Sequence, residues 1–505
     1  MTRGIAGRGM AKDISAESVM RTGPLFAGLD LGTGSVRAVA VNSAGDVVAS
    51  GAAQLEGQVV REGRHEQEPE SWWQAVRDAV GALVREMEVG GVSVAALAAL
   101  AVDGTSGTLV CADAQGRALG PAIMYNDQRA EWEARELVDR AGTFCAKMGY
   151  TIGGSFAAAR IRWLQVHEPE VFAAARWFLH QADFIANRLT GEFGVADYSN
   201  ALKTGYDLVD ERWPDWWGMF DGVSERLPRV IAPGTKMGVL HKDVADELGL
   251  PAGLAIVGGA TDGTAAFLAS GAHRVGDDNT TLGTTLVFKR LAKRLARDPQ
   301  GLIYSHKLPG GYWLPGAASN TGGEWIRRDY GNANLVELDE RAQNLLPSDH
   351  LAYPLARTGE RFPFKVEEAE GFCQPEVGDS LACYAAHLQG VALTERLCYE
   401  VLDRVAGAEE GDIYATGAAS RSDVWLQLRT DIAGRKIHRP AFPESAFGSA
   451  VLAATAVHFG DVWQAVRHMV RIEKTFEPDA GKAAMYAEKY QMFKRLLEER
   501  GYLQD

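Results

Sequence analysis

The sequence predicts an α/β protein in two related halves, and three observations carry that prediction. Strand-like runs such as Ala255 to Gly258 and Asp412 to Thr416 alternate with helical periodicity at Glu131 to Val138, Ala157 to Val166 and Leu388 to Val405. A strand ending in a Leu-Gly-Thr tip occurs twice, at Leu31-Gly32-Thr33 and at Leu282-Gly283-Thr284, each time followed by a second apolar strand. No Pro-rich or low-complexity tether separates the halves. The boundary is therefore set near Gly258-Gly259 as a hinge. It divides the chain into residues 24–258 and 259–505, behind residues 1–23, which have no apolar h-region and read as a disordered leader or a misplaced start and not as a secretion signal.

Composition sets the outer limits. The 505 residues suffice for two large or three ordinary domains, and 46% hydrophobic with 23% charged residues is a globular balance that excludes disorder as the main theme. A net charge of -14 repels a polyanion, so nucleic acid is not an expected partner. Five cysteines without a C-x-x-C spacing read as free thiols in a reducing cytoplasm. The longest nearly uncharged apolar run, Val92 to Val102, is too short to span a membrane and reads as a buried strand. Glycine is in excess, 56 residues, and its positions matter more than its number.

In chain order, Leu25 to Asp30 forms the first strand, Leu31-Gly32-Thr33-Gly34-Ser35 its tip, and Val36 to Val41 the returning strand before the turn Asn42 to Asp46. Glycines at such a tip let several N–H groups converge on phosphate oxygens, with the Thr33 and Ser35 hydroxyls adding donors. Asp30 at its edge would repel phosphate unless a divalent cation, Mg²⁺, lay between them. The same residues also read as a plain tight hairpin. Glu66 to Trp73 reads as a helix start, with Pro69 near its first position and the tryptophan pair facing the core.

The Val92 to Val102 strand ends at Asp103-Gly104-Thr105-Ser106-Gly107-Thr108, and Tyr125-Asn126-Asp127-Gln128-Arg129 precedes a helix. Thr105, Ser106, Asn126, Asp127 and Arg129 could hold a polyhydroxylated substrate, which needs paired donors and acceptors; singly, each also reads as a loop cap. At Val257 to Thr264 a buried strand ends in glycines and presents Asp262 before the small-residue helix Thr264 to Ser270. Ligands of open α/β folds bind at strand carboxyl ends, and a weakly basic aspartate suffices to accept an alcohol's proton in phosphoryl transfer. An N-cap role for Asp262 stays open.

In the second half, Gly283-Thr284 forms the second tip before the strand Leu286 to Lys289. Gly316 to Trp325, with Gly322, reads as a phosphate or ribose loop or as a tight turn. The small residues Gly417-Ala418-Ala419 to Ser422, followed by Trp425, suit a flat base pressed against backbone, or equally a helix start with a core tryptophan. Commoner signatures are missing: the one Gly-Lys pair, Gly481-Lys482, is followed by Ala483, which excludes a P-loop. G-x-G-x-x-G after a strand, H-R-D, H-E-x-x-H and G-x-S-x-G are absent as well.

Taken in order, Asp30-Leu-Gly-Thr-Gly-Ser, Glu66-Gln-Glu-Pro with Trp72-Trp73, Asp103-Gly-Thr-Ser, Asn126-Asp-Gln-Arg129, Thr261-Asp262-Gly, Leu282-Gly-Thr, the Thr416 to Ser422 turn and Glu444 to Ala450 resemble the FGGY carbohydrate kinases over about residues 25 to 460. His180-Gln181-Ala182-Asp183, Asp197 to Asp207, Ser319 to Gly323 and Gly359-Glu-Arg-Phe-Pro363 look most like the plant and cyanobacterial D-ribulose kinases.

The resemblance implies two ribonuclease-H-like domains of the actin-like ATPase kind flanking a deep cleft, sugar held mainly by the first and ATP by the second. It implies Asp262 as general base, and Asp30 with Thr33 at the γ-phosphate and Mg²⁺, Asp30 also reaching the sugar. Gly32, Gly34 and Ser35 fall in the first phosphate tip and Gly283 with Thr284 in the second. Thr105 and Ser106 align with the sugar-contacting segment, and Asn126, Asp127 and Arg129 with the polar stretch after it. Gly417, Ala418, Ser422 and Trp425 match the adenine turn, and Gly322 and Trp325 are counted with the ATP- and phosphate-binding residues. One departure stands out: the family has consecutive glycines where this chain has Gly417-Ala418-Ala419.

The implied reaction is ATP-dependent phosphorylation of the terminal hydroxyl of a ketopentose, D-ribulose first, with D-xylulose or another ketose or polyol as alternative. An actin-like ATPase switch would want a peptide-binding domain after Gly417, and a sugar-binding regulator would not need Asp262. The implied partners are the sugar and ATP alone, with no membrane and no nucleic acid, for a monomer or homodimer.

Overall fold

The computed structural model describes residues 23–61 and 63–503. The leader expected over 1–23 lies, save Gly23, outside the described residues.

The first sheet starts as a meander of Leu25–Leu31, Ser35–Asn42 and Val47–Gln54, all antiparallel. Leu97–Gly104 joins parallel to the first strand, Ala255–Thr261 parallel to that, and Lys236–Val239 closes the edge antiparallel. The central strands are apolar because both faces are covered. One face carries the helix Pro69–Val89, which begins at Pro69 and buries Trp72, Trp73, Val76, Val80 and Leu83 as the sequence predicts. The other takes a helix from the second half, Ser445–Ala454, admitted because a Cβ on Gly28 would overlap the Ala446 carbonyl.

The second sheet repeats this plan. Asp278–Leu282, Leu286–Arg290 and Tyr312–Ser319 are antiparallel; Ile413–Thr416 runs parallel to Asp278–Leu282 and Ile437–Pro440 lies beyond it. Tyr304–Leu308 and Ile472–Phe476 cover the edges. The Leu-Gly-Thr tip thus connects strands one and two in both sheets, and the repeat read from three residues is a repeat of topology. Between the sheets, the helices Asp262–Ser270 and Ser445–Ala454 press together where Gly448 lacks a Cβ that would overlap the Ala265 carbonyl.

Two expectations move. Gly258-Gly259 lies inside a strand of the first sheet, at a register shift opposite Val102 whose carbonyl a Gly259 Cβ would overlap, so these glycines serve a bulge and not a hinge. The chain changes sheet later, between Ser270 and Asp278. The strand expected from Val92 starts only at Leu97, because Val94–Ala96 form a 3₁₀ turn after the preceding helix ends at Val89.

A further five-stranded sheet, ordered Val59–Arg61, Arg64–Gln67, Ala122–Ile123, Leu109–Ala112, Trp177–His180, extends the first half. The helices Glu131–Met148 and Ala157–His167 pack on it around Leu109, Ile123, Phe156 and Phe178. Among the described residues no helix is long and apolar enough to cross a membrane. All five cysteines are free, and only Cys145 and Cys398 are buried.

Candidate active site

A cavity of about 690 Å³ opens between the two halves, with Thr105, Ser106 and Asp262 from the first facing Lys289, Tyr304 and Arg361 from the second. A larger one, about 960 Å³, lies in the second half and is lined by Gly283, Thr284, Gly323, Ala418, Ser422 and Trp425.

Asp262 stands where the strand Ala255–Thr261 turns into the helix Asp262–Ser270. The N-cap position belongs to Thr261, so the capping alternative falls away. Thr261, Ser199 and Thr264 join their hydroxyls beneath it at 2.9 to 3.2 Å and fix the start of the helix. The Asp262 Oδ1 accepts from the Gly263 N–H at 2.6 Å. Burial lifts its pKa to about 6, against the Gly263 hydrogen bond and the positive charge of Lys289. Burial in turn lowers Lys289 to about 8, with Asp262 opposing. The two are close: a Cβ on Gly263 would fall 2.6 Å from Lys289 Nζ.

Asp30 is the register partner of Asp103 on the adjacent parallel strand. Burial raises the Asp30 pKa, held back by a hydrogen bond with Asp103 and by Arg37. Burial and the Asp30 charge push Asp103 well above the usual carboxylate range, although Ser449 donates to its Oδ2 at 2.6 Å. The Asp103 Oδ1 finds no donor, since the group beside it is another carboxyl. Such a pair needs either a shared proton or a cation.

The first tip is tied back by backbone: Gly32 N–H donates to the Ser35 carbonyl at 3.0 Å, and the Thr33 carbonyl accepts from Gln58 at 2.6 Å and Gln67 at 2.8 Å. Nothing packs within 4 Å of a Cβ on Gly34. In the second, Gly323 N–H donates to the Gly283 carbonyl at 2.8 Å. Gly322 is needed there because a Cβ would overlap the Thr284 carbonyl, so it backs the tip. Buried Glu360 holds the same turn, accepting from Ser319 at 2.9 Å, Asn320 N–H at 2.7 Å and Thr321 at 3.0 Å.

Gly417 has φ 85, and a Cβ on it would meet the Leu282 carbonyl at 2.6 Å. Ala418–Arg421 then make one 3₁₀ turn, and Ser422 caps the next helix through Trp425 N–H at 3.1 Å. Trp425 lines the larger cavity, whereas Trp325 does not: its helix turns it into a cluster with Tyr384, His387 and Trp425. The ATP-site role expected for Trp325 is therefore replaced by a core one.

Thr105 and Ser106 divide their work. The Thr105 N–H and hydroxyl donate to Gln181 Oε1 at 3.0 and 2.7 Å, whereas the buried Ser106 hydroxyl has no partner and faces the cavity. Asn126, Asp127 and Arg129 do not line it. Arg129 bonds Asp127 at 2.8 Å and Glu66 at 2.6 Å and lies 4.9 Å over the Trp163 ring; Asn126 meets His65 at 2.6 Å. Arg160, bonded to the Tyr125, Asp127 and Gly107 carbonyls at 2.8, 3.1 and 2.6 Å, joins this network to Tyr125, which does line the cavity. These residues brace the wall. Lys203, Lys289, Tyr304, His306 and Arg361 were not among the expected site residues; of them Lys203 and Arg361 carried a signal, in Asp197 to Asp207 and in Gly359 to Pro363.

Two domains of one topology facing each other across a cleft, an acid at a strand end of the first and glycine tips in both, define the actin-like ATPase architecture that sugar kinases use. The chain belongs to the FGGY family of carbohydrate kinases, whose N-terminal domain matches residues 25–269 and whose C-terminal domain matches residues 279–457. It is 27% identical to the xylulose kinase of Escherichia coli (strain K12) over 491 residues, 94% of this chain and 99% of that one. It is 29% identical to the xylulose kinase of Streptomyces coelicolor, covering 86% of this chain and 88% of the relative. The crystal structure of xylulose kinase from Rhodospirillum rubrum superposes with a TM-score of 0.83 at 27% identity, over 94% of this chain and 98% of that one.

Proposed function

We propose that this carbohydrate kinase transfers the γ-phosphoryl group of ATP to the terminal hydroxyl of a ketopentose, with D-ribulose as first acceptor. The observation that carries the reading is Asp262 in the interdomain cavity with Lys289 beside it, its pKa held at about 6. Ionised at neutral pH, Asp262 accepts the hydroxyl proton as the sugar oxygen bonds to the γ-phosphorus. The bond from that phosphorus to the β–γ bridging oxygen breaks, and ADP leaves. In a loose transition state the proton moves late, so a weak base is enough.

Ser106 offers a free hydroxyl to the sugar, and Thr105 holds that loop through Gln181. In the second half, Gly283 and Thr284 meet phosphates, and Ala418, Ser422 and Trp425 meet the base. The Asp30–Asp103 pair fits Mg²⁺, which binds through one or two carboxylates plus phosphates and waters and needs no preformed cage. Bound there, the ion would supply neutralisation of phosphate charge. Asp30 is the residue to hold it.

D-xylulose is the second reading, favoured by the names of the relatives. The two ketopentoses differ only in configuration at C3, so a few hydrogen bonds decide between them. ADP release with MgATP and a panel of ketopentoses and alditols tests both. A kcat/KM about tenfold higher for D-ribulose supports the first reading, and the reverse order replaces it with the second. Sugar-independent ADP release that persists unchanged in Asp262→Asn removes the kinase mechanism.

A further inference from the structure

The cavity between the domains carries more positive charge than a neutral sugar calls for. Lys203, Lys289, Arg361 and Lys365 line it, and among the described residues Asp262 is the one carboxylate of its lining. Asp262 accounts for Lys289. Nothing accounts for Lys203. It is only 7% exposed, and among the described residues its side chain has no hydrogen bond or ion pair. Its Nζ lies 4.0 Å from the Phe156 ring centre and 4.9 Å from that of Tyr304, both neutral. Burying an ammonium without a counter-ion costs several kcal/mol, and two aromatic faces return only about 1–2 kcal/mol each.

Two residues of the same lining each keep a buried polar atom without a partner among the described residues, the Ser106 hydroxyl and His306 Nδ1. His306 stays neutral: burial first, then Lys289 and Lys203, hold its pKa well below the usual value, while it bonds the Ser199 backbone. Its Nδ1 is therefore an acceptor for a hydroxyl. Burial and the charge of Arg160 lower Lys203 to about 7, and an anion beside it would hold it charged. Asp262 acts on Lys289 beside it, whereas Arg160 is the charge that acts on Lys203. An ammonium, a hydroxyl and an imidazole acceptor, all waiting, describe a site for a polyol that also bears a negative charge.

We propose that this cavity binds acceptors carrying an oxyanion, a carboxylate or a phosphate, at the end remote from the phosphorylated hydroxyl, with Lys203 as its counter-ion. The inference rests on the kinase reading for the hydroxyl end, at Asp262, and adds the charged end.

D-Ribonate and ribitol share five carbons and differ in the C1 carboxylate, so calorimetric titration of the full chain with each, without nucleotide, isolates the charge. Ribonate should bind at least about tenfold tighter than ribitol, lose at least about tenfold in Lys203→Met and recover in Lys203→Arg, with ribitol unmoved. Equal affinities in the wild type, or equal losses for both ligands in Lys203→Met, overturn the proposal. A Lys203 dependence seen for D-ribulose 5-phosphate but not for ribonate puts the anion at the reacting end and overturns it too. So does a Lys203→Met defect confined to the KM for ATP, which assigns the ammonium to the γ-phosphate. Ketopentose-stimulated ADP release by the wild type reports separately on the kinase reading: its absence alongside Lys203-dependent ribonate binding sinks that reading and leaves the anion site.

Discussion

The two sheets carry the same hairpin tip over different chemistry. Beneath Leu31-Gly32-Thr33, Asp30 faces Asp103 across parallel strands; beneath Leu282-Gly283-Thr284, the same two positions hold Thr281 and Thr416, whose hydroxyls meet at 2.8 Å. The following residue is a glycine in both sheets, Gly104 and Gly417. A buried carboxyl pair demands a proton or a cation, while a hydroxyl pair is neutral and leaves the field above it free for phosphate. One backbone plan thus carries a buried carboxyl pair in the first domain and a neutral hydroxyl pair in the second. Asp262 sharpens the asymmetry: it directly follows its strand, whereas the corresponding strand of the second sheet, Ile437–Pro440, is followed by Ala441, and a carboxylate comes only at Glu444, the N-cap of Ser445–Ala454.

Removing that acid should have the largest effect. Asp262→Asn keeps shape and burial but cannot accept a proton, so kcat should fall about 10²–10⁴-fold with little change in sugar binding, measured by coupled ADP release and by titration. A variant retaining more than about a tenth of wild-type kcat would end the assignment of Asp262 as base.

Making the second tip resemble the first comes next. Thr281→Asp places a carboxyl beneath the tip proposed to meet the phosphates, without the paired acid, and the KM for ATP should rise about tenfold or more, roughly 1.4 kcal/mol, while the sugar KM holds. Thermal melting separates this from misfolding. An unchanged KM for ATP would mean that the Thr281–Thr416 pair does not set the charge of that tip.

The pH profile tests the acid–base pair across the cleft. With Asp262 at about 6, kcat/KM should fall tenfold per unit below about pH 6. Lys289→Met should move that limb upward, because the ammonium helps hold the carboxyl ionised. The sign for stability is opposite. A carboxyl raised from 3.8 to about 6 on folding stays protonated in the folded chain after the unfolded chain has lost its proton, so stability falls as pH rises through that window. Asp262→Asn should therefore melt higher than wild type above pH 6 and no higher near pH 4.

How much of this was legible in the sequence follows from distance along the chain. The hairpins, the tips and Asp262 were legible because each lies within a few residues of one strand end, where period and glycine placement speak directly. Lys203, Lys289, His306 and Arg361 come from four separate segments that only the closed fold brings to one cavity, so no spacing announces them. Asp127 and Arg129 misled because a buried ion network and a sugar site draw on the same residue types. Trp325 misled because the glycines of Gly316 to Trp325 suit a phosphate or ribose loop, while the helix Glu324–Tyr330 turns that ring inward. Gly258-Gly259 looked like a hinge for the same reason that a bulge needs glycine: both require backbone without a side chain.

The smallest effect is expected where this chain departs from its family. At the turn proposed to meet the base, the residue that needs glycine is Gly417, because its φ of 85 and the nearby Leu282 carbonyl admit no side chain. Ala418 and Ala419 belong instead to an ordinary 3₁₀ turn, with the cavity still about 960 Å³ around them. Their methyl groups therefore line the pocket without closing it. Ala418→Gly should change the KM for ATP by less than about threefold, which is under 1 kcal/mol, and should leave the ratio of ATP to GTP use where it stands. A tenfold gain in either nucleotide would show that the methyl group sets the base pocket, and would move the origin of nucleotide preference from Trp425 and Ser422 to the turn itself.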